Sequence, residues 1–373
     1  MLIGIDASRS SSIHRTGTEN YSYHLIRELL ALRSPHVLRL YFRDEPPLGL
    51  CERCGAEAEC SVMPFPRLWT HARLSWEMRQ NPPDLLFVPS HVLPVVHPRR
   101  CVATVHDLGY HYHPEAHTLS QNLHLRWSTR HNARAAARIM ADSEATRADL
   151  IRFYRLPSSK IEVVYPGIDE GLRPVSDAGL LADVSERYGI AGPYLLYVGT
   201  LHPRKNLVRL VEAFALAAGD LPASLQLVLA GQKGWLYEDI LSVIRRHALS
   251  DRVRLTGYVP DSDLPALLTG AMAFVFPSLY EGFGFPVLEA MACGTPVVCS
   301  SSSSLPEVAG DAALFVDPLS VNALAEGLVQ IVQDGVLRAR LVERGFRQVN
   351  CFSWRRCAEE TLGILEEVAG ALG

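Results

Sequence analysis

No apolar run in this chain reaches about 18 residues, so no helix is expected to span a membrane. The N-terminus, MLIGIDAS, has no basic stretch leading to a cleavage site and runs straight into strand-like sequence. A cytoplasmic protein is therefore expected, at most peripheral on the inner membrane face. Eight cysteines scattered over 373 residues do not suggest a disulfide framework. Cys51, Cys54 and Cys60, in CERCGAEAEC, supply half of a zinc-type pairing, and no second CxxC or CxxH follows at the usual spacing. A surface loop of reduced thiols is expected there. A net charge of −4 lacks the basic excess of a nucleic-acid binder. No GxGxxG follows any strand-like run, which argues against a nicotinamide oxidoreductase. Apart from the serine run 300–304, low-complexity sequence is also missing.

An apolar content of 48% and a charged content of 20% describe a globular chain, long enough for two domains with their own cores. Its charge is uneven: residues 1–170 hold 20 Lys+Arg against 18 Asp+Glu, and residues 171–373 hold 16 against 22. Twelve of the fourteen histidines lie in the first half, which suits an anionic partner better than the second.

Strand-like runs alternate with helical ones throughout, the pattern of parallel α/β sheets. In the first half the strands are expected at 2–7, 37–42, 84–89, 101–107, 138–143 and 161–167, with helices at 18–32, 68–80, 119–137 and 144–153. The Pro-, Gly- and acid-rich segment 165–179 is read as the connection between domains. A second series of strands follows at 194–199, 225–231, 253–259, 273–278, 296–300 and 313–317. Helices are expected near 207–218, 236–247, 263–269, 287–292, 321–332, 336–348 and 354–371.

The densest signal is PSLYEGFGFPVLEAMACGTPVVC at 277–299. It sets Glu281 and Glu289 eight positions apart across a glycine-broken turn that becomes a helix. Gly282 and Gly284 let the backbone approach a ligand, and the helix start offers unpaired N–H groups to a phosphate. Glu281 is placed in the loop at the carboxyl end of a strand, where open α/β sheets bind ligands. Glu289, read as two turns into the helix, is suited to accept from vicinal hydroxyls. A further site is YVGTLHPRKN (197–206), where Arg204 and Lys205 form a cationic pair before an amphipathic helix, either a diphosphate clamp or an exposed basic turn.

These segments resemble the E-x7-E motif and the basic loop of the retaining glycosyltransferases of family 4, in particular their mannosyltransferase-B-like branch. The fragments TGTENY, VHDL, SEATRADL, YPGID, YVGTLHPRKN, AGQKGW, SLPEVAGDAALFVDP and FSW occur in family order, so the likeness covers almost the whole chain. It implies a GT-B fold: two Rossmann-like parallel-sheet domains facing across a cleft, with residues 1–170 on the acceptor side and 171–353 binding the nucleotide sugar. The helix of 354–373 is implied to cross back to the first domain.

The implied reaction transfers a hexose, mannose first, from a sugar nucleotide, GDP-mannose before a UDP-sugar, to a glycan or lipid-linked glycan in polysaccharide biosynthesis. Lys205 matches a family lysine on the donor diphosphate. Thr200 stands where the family arginine is usual, so Arg204 is the substitute. Glu289 would hold the ribose, and Glu281 would lie near the donor sugar. Gly282, Phe283, Gly284 and Phe285 would meet that sugar's hydroxyls. Gly199, Gly231, Lys233 and Tyr258 border the nucleotide by the same likeness, or simply form tight turns. In the first domain Gly17, in RTGTENY, is a donor-binding candidate where a phosphate or the transferred sugar could approach backbone amides; the loop resembles the family's TG-x-G-R-Y, with Glu19, an acceptor-side candidate, where a small residue is usual. His106 matches a histidine lining the transferred sugar, and is assigned to position or polarise it. Asp107 and Ser143 are further acceptor-side candidates, Ser143 also as a helix cap.

No covalent nucleophile is assigned, since the resemblance implies front-face attack. No cofactor and no metal are expected. Asp261-Ser262-Asp263 is formally DxD, yet it precedes LPALL and is read as a helix N-cap. His106, His111, His113 and His117 lack a carboxylate frame for a metal. Arg126, Arg130, Arg134 and Arg138 recur every four residues, as a solvated helix face or as a docking face for a lipid-linked acceptor or the membrane. A sugar-nucleotide epimerase of the same fold and a catalytically silent scaffold remain alternatives, and the oligomeric state is left open.

Overall fold

In the computed structural model, the apolar runs of the sequence become the strands of two parallel sheets. The structure describes residues 1–11, 17–32, 34–47, 50, 58–90, 92–234 and 237–370. Cys51 and Cys54 lie outside the described residues. Cys60 is exposed.

The first sheet contains β1 (Leu2–Asp6), β2 (Val37–Phe42), β3 (Ala58–Val62), β4 (Leu85–Val88), β5 (Cys101–Val105), β6 (Arg138–Ala141) and β7 (Ile161–Val163), in the order β3-β2-β1-β4-β5-β6-β7. Every pairing is parallel. Strands β4 and β5 are buried at every residue, as expected of strands covered on both faces. The helices are α1 (Gly17–Ala31), α2 (Ser75–Gln80), α3 (Gly109–Tyr112), α4 (Leu119–Ala135) and α5 (Glu144–Tyr154). A π-helical turn, Thr70–Leu74, leads into α2.

The second sheet contains β8 (Tyr194–Val198), β9 (Gln226–Ala230), β10 (Val253–Gly257), β11 (Ala273–Phe276), β12 (Val297–Ser300) and β13 (Ala313–Val316), in the order β10-β9-β8-β11-β12-β13, again all parallel. Its helices are α6 (Ala178–Arg187), α7 (Leu207–Leu216), α8 (Glu238–Arg246), α9 (Leu264–Thr269), α10 (Phe285–Ala292), α11 (Leu305–Ala309), α12 (Val321–Gln333) and α13 (Gly335–Val349). A final helix, α14, spans Trp354–Gly370.

The chain forms two compact units, Met1–Gly167 with Phe352–Gly373, and Ile168–Cys351. Thus α14 belongs to the first unit, where it packs against α1. Trp354 stacks on His24 at 5.3 Å and meets Tyr21 edge-on at 5.7 Å. Gly167 receives that turn: a Cβ there would lie 2.0 Å from the Trp354 nitrogen. Among the described residues no helix is long and apolar enough to cross a membrane.

Several expectations need correction. Strand β3 and helices α3, α6 and α11 fall outside the predicted elements, and α6 begins at the end of the expected connector. Helix α10 starts at Phe285, not 287, because Pro286 is tolerated in a first turn. Arg138 lies in β6, within the strand expected at 138–143, and so off the helix. Its guanidinium faces Glu367 at 3.0 Å and Glu162 at 3.8 Å, so the arginine stripe of α4 has three members.

Candidate active site

The second sheet reverses its strand order between β8 and β11, so the loops after these strands diverge and leave a crevice at their carboxyl ends. Both loops carry residues singled out from the sequence. After β8, a single 3-10 turn, Pro203–Lys205, presents Arg204 and Lys205. After β11 comes Pro277–Gly284, containing Glu281.

The two loops are joined by charge. Lys205 Nζ donates to Glu281 Oε1 at 2.5 Å, and Arg204 Nη1 lies 3.6 Å from Glu281 Oε2. Arg204 also donates to the Tyr280 carbonyl at 2.7 Å. Burial alone would raise the Glu281 carboxyl, but Lys205 and Arg204, with the Ser278 hydroxyl, outweigh it and hold it at about 2. Glu281 is thus the buried counter-ion of the cationic pair. Two cations against one carboxylate leave a net positive charge at the crevice.

Residues that the sequence reading passed over hold this geometry. Asn206 takes a left-handed φ of 62° at the head of α7, and its Nδ2 donates to the carbonyls of Pro277 (3.1 Å) and Pro318 (2.7 Å). This pins the Arg204-Lys205 turn to the neighbouring strand ends. The serine run is a set of staples. Ser302 Oγ donates to the Ser278 and Leu279 carbonyls, and Ser304 Oγ to those of Glu281 and Phe283, while Glu281 N–H donates to Ser303 Oγ. The serine run after β12 is the one trace of this in the sequence, and it does not say which hydroxyl meets which carbonyl.

Gly284 has φ 123°, which no larger residue adopts readily, and it delivers the chain into α10. Phe283 and Phe285 meet edge to face at 5.1 Å. Glu289 is the fifth residue of α10, one turn in rather than two. Burial pushes its carboxyl up to about 7, with Asp261 and Asp169 adding like charge.

Gly199 and Gly231 follow β8 and β9 with φ 146° each, and a Cβ on Gly231 would lie 2.0 Å from the Gly199 oxygen. Two backbones approach there as only glycine permits. Lys233 donates to the Tyr237 hydroxyl at 3.2 Å, and Tyr258, after β10, is largely exposed. Asp263 corrects the capping expectation. It stands at the head of α9, but its side chain makes no cap and instead accepts from Arg187 (2.7 Å) and Tyr188 (2.8 Å).

In the first unit His106 sits just past the end of β5. Both ring nitrogens face acceptors, Nδ1 the Asp142 carboxylate at 2.6 Å and Nε2 the Pro89 carbonyl at 3.0 Å. Burial opposes the imidazolium, but Asp142, Asp107 and the Pro89 carbonyl overcome it and raise the His106 pKa. Neither nitrogen is left to act as a base, so the ring offers charge and a C–H edge. Asp142, the missed partner, precedes Ser143 in the sequence. Asp107 Oδ1 accepts from Gly109 N–H at 2.9 Å and so opens α3. Ser143 caps α5 through Thr146 N–H, as read from the sequence. Gly17 is the first residue of α1, and Glu19 in its first turn accepts from Arg9 at 3.4 Å. Asp6, also missed, ends β1 with its carboxyl pushed up to about 6 by burial, against the pull of Ser8 and Arg9.

The other histidines do not converge with His106. His111 stacks on Phe153 at 4.2 Å, and His113 pairs with Glu115. Among the described residues no group of three His, Cys, Asp or Glu side chains is placed to hold a metal ion.

Comparison with known proteins follows this division of the chain. Residues 15–172 match the family model described as Glycosyltransferase Family 4, and residues 187–348 match that of Glycosyl transferases group 1. Over 368 residues the chain is 33% identical to the O-antigen chain mannosyltransferase B of Escherichia coli, covering 93% of this chain and 95% of that protein. The chain belongs to glycosyltransferase family 4. This glycosyltransferase is also 32% identical over 227 residues to mannosylfructose-phosphate synthase of Agrobacterium fabrum, spanning 58% of its own length and half of that relative. Its fold is that of solved GT-B enzymes. HepE of Anabaena, solved with UDP and glucose, superposes with a TM-score of 0.74 at 20% identity, over 98% of this chain and 99% of that one.

Proposed function

We propose that the protein is a retaining, metal-independent hexosyltransferase that moves mannose from GDP-mannose to a glycan or lipid-linked glycan in polysaccharide biosynthesis. The observation that carries this reading is the net positive crevice of Lys205 and Arg204 around Glu281, one loop away from a half-buried, readily protonated Glu289. Mannose is favoured by the mannosyl relatives in Escherichia coli and Agrobacterium, and GDP by the family likeness read from the sequence.

In this mechanism the C1–oxygen bond to the diphosphate breaks, and its electron pair goes to the leaving phosphate oxygen. Lys205 and Arg204 stabilise that charge, a role a divalent cation plays elsewhere. The new bond forms between C1 and the acceptor oxygen on the same face, and the acceptor proton passes to the departing phosphate. Glu289 accepts from the ribose hydroxyls, and the backbone of Gly282–Phe285 binds the sugar. His106, cationic and held at both nitrogens, is assigned to the sugar by family likeness.

The test is an assay of the purified chain with GDP-, UDP- and ADP-hexoses plus a glycan acceptor, with product anomers read by NMR. Transfer from GDP-mannose with retained configuration, unaffected by chelator, is expected. Lys205→Ala should lower kcat by roughly 100- to 1,000-fold, the usual effect of removing one donor to a developing oxyanion. Conversion of the nucleotide sugar without acceptor would instead identify an epimerase, and unchanged turnover in Lys205→Ala would remove the site.

A further inference from the structure

Helix α4 is built inside out. Its buried face is polar: Asn122, Ser128, Thr129 and Asn132 point inward. Each has a partner there: Asn122 donates to the Tyr110 carbonyl, Thr129 accepts from the Tyr110 hydroxyl, Leu93 N–H donates to Asn132, and Ser128 bonds within the helix. Apart from Leu125, which packs against the core, the large apolar residues lie on the outer face. Leu119 is 87% exposed, Leu123 69% and Trp127 46%, at a spacing of four that places them in one row. Folding alone gives no reason for this arrangement, because an apolar row normally faces the core.

The same outer face is basic. Arg126, Arg130 and Arg134 form a second row three residues after Leu123, Trp127 and His131, about 60° around the helix at its usual 100° per residue. Residues 116–141 contain no Asp or Glu. The apolar row continues onto neighbouring elements. Trp127 stacks on His131 at 5.4 Å and meets His71 at 5.2 Å, His131 reaches the Pro94 carbonyl, and Val96 N–H donates to Ser75 Oγ. These contacts bring the exposed Val95, Val96 and Trp76 to the margin of the patch.

We infer that this face docks the protein on an anionic lipid bilayer. Leu119, Leu123 and Trp127 enter the boundary between headgroups and acyl chains, and the three arginines lie against the anionic headgroups. Charge complementarity selects this occupant: a second copy would oppose arginine to arginine, and a neutral protein groove would leave three cations unused. The inference goes beyond the transfer reaction and needs no donor or acceptor to be tested.

The experiment is co-sedimentation of the full chain with vesicles of phosphatidylcholine alone or of phosphatidylcholine with phosphatidylglycerol, at rising salt. Binding to the anionic vesicles only, weakening with salt, is expected. Each arginine near an anionic surface contributes roughly fivefold, so R126Q/R130Q/R134Q should lower the partition coefficient about a hundredfold. L119Q/L123Q should lower it at least tenfold by removing the inserted row. All five positions are exposed, and unchanged circular dichroism and melting would show that both variants fold. No sedimentation with anionic vesicles, equal binding to neutral ones, or full binding by either variant would overturn the inference. So would a dimer in sedimentation velocity that L119Q/L123Q dissolves, which would assign the patch to a second copy.

Discussion

Glu281 and Glu289 are the same residue type eight positions apart, yet one carboxyl is held at about 2 and the other at about 7. The difference is company: two cations for the first, burial and two further acids for the second. For Glu289 the folded pKa is raised. The unfolded chain ionises near the ordinary glutamate value, so the favourable contribution of the neutral form is present below about 4.5 and lost as pH climbs to about 7. Glu289→Gln is therefore expected to resist urea better than wild type at pH 8 and no better at pH 5, while binding GDP-mannose more weakly. Calorimetry in buffers of different ionisation enthalpy should detect proton release on nucleotide binding in wild type near pH 7, and none in the variant.

His106 has the opposite sign of charge and the same direction of shift. Its imidazolium is present below its raised pKa and disappears above it. Asp142→Asn removes the carboxylate that supports it, and each unit of lowered pKa costs about a factor of ten in cationic fraction at alkaline pH. The alkaline limb of kcat/KM should move to lower pH in that variant, and an NMR titration of the His106 ring should move with it. A purely structural role for Asp142 would lower the yield of folded protein and leave the limb in place.

Among elements, the turn before α7 is the most exposed to a single change. Asn206→Ala removes two buried hydrogen bonds, strands the Pro277 and Pro318 carbonyls, and puts alanine in a left-handed conformation. A loss of about 2–4 kcal/mol in urea unfolding is expected, together with a raised KM for the donor, because Lys205 immediately precedes this residue.

Elements of this kind divide into those legible in the sequence and those that were not. The strands leading into the crevice were legible because burial on both faces leaves an apolar run bounded by Gly, Pro or Asp. Strand β3, with the sequence AECSV, sits at a sheet edge, half exposed, and has no such run. Helix α6 buries Val184 alone, and its short apolar row, Leu180, Leu181 and Val184, was taken into the acidic connector that precedes it. In the crevice, Lys205, Glu281 and Glu289 were legible from type and spacing. Their partners were not, since Ser303, Ser304 and Asn206 act through backbone contacts brought together only by the fold. The same holds for the Asp263 side chain, drawn from its helix by Arg187 and Tyr188, residues about 75 positions away.

At the scale of the molecule, each sheet has its own core, and the residues proposed for the diphosphate and ribose, Arg204, Lys205 and Glu289, belong to the Ile168–Cys351 unit. A bound nucleotide should therefore protect that unit first. Hydrogen exchange with GDP at 100 times its Kd, worth about 2.7 kcal/mol of stabilisation, is expected to slow amides of β8, β9 and β11 and their loops more than those of β2 and β3. Uniform slowing, or slowing confined to the first unit, would contradict the placement of the donor site.

The first unit is drawn from both sides of the second in the chain, and this sets an order of events during synthesis. While the ribosome is still making α14, the partners of Trp354 on α1, Tyr21 and His24, already exist without their cover. The leading segment Met1–Gly167 therefore cannot close as it emerges, and the first unit is completed only by the last helix of the chain, against the usual order in which the leading domain finishes first. A released chain ending just before Trp354 should keep the fold of the Ile168–Cys351 unit and yet be open to protease along α1.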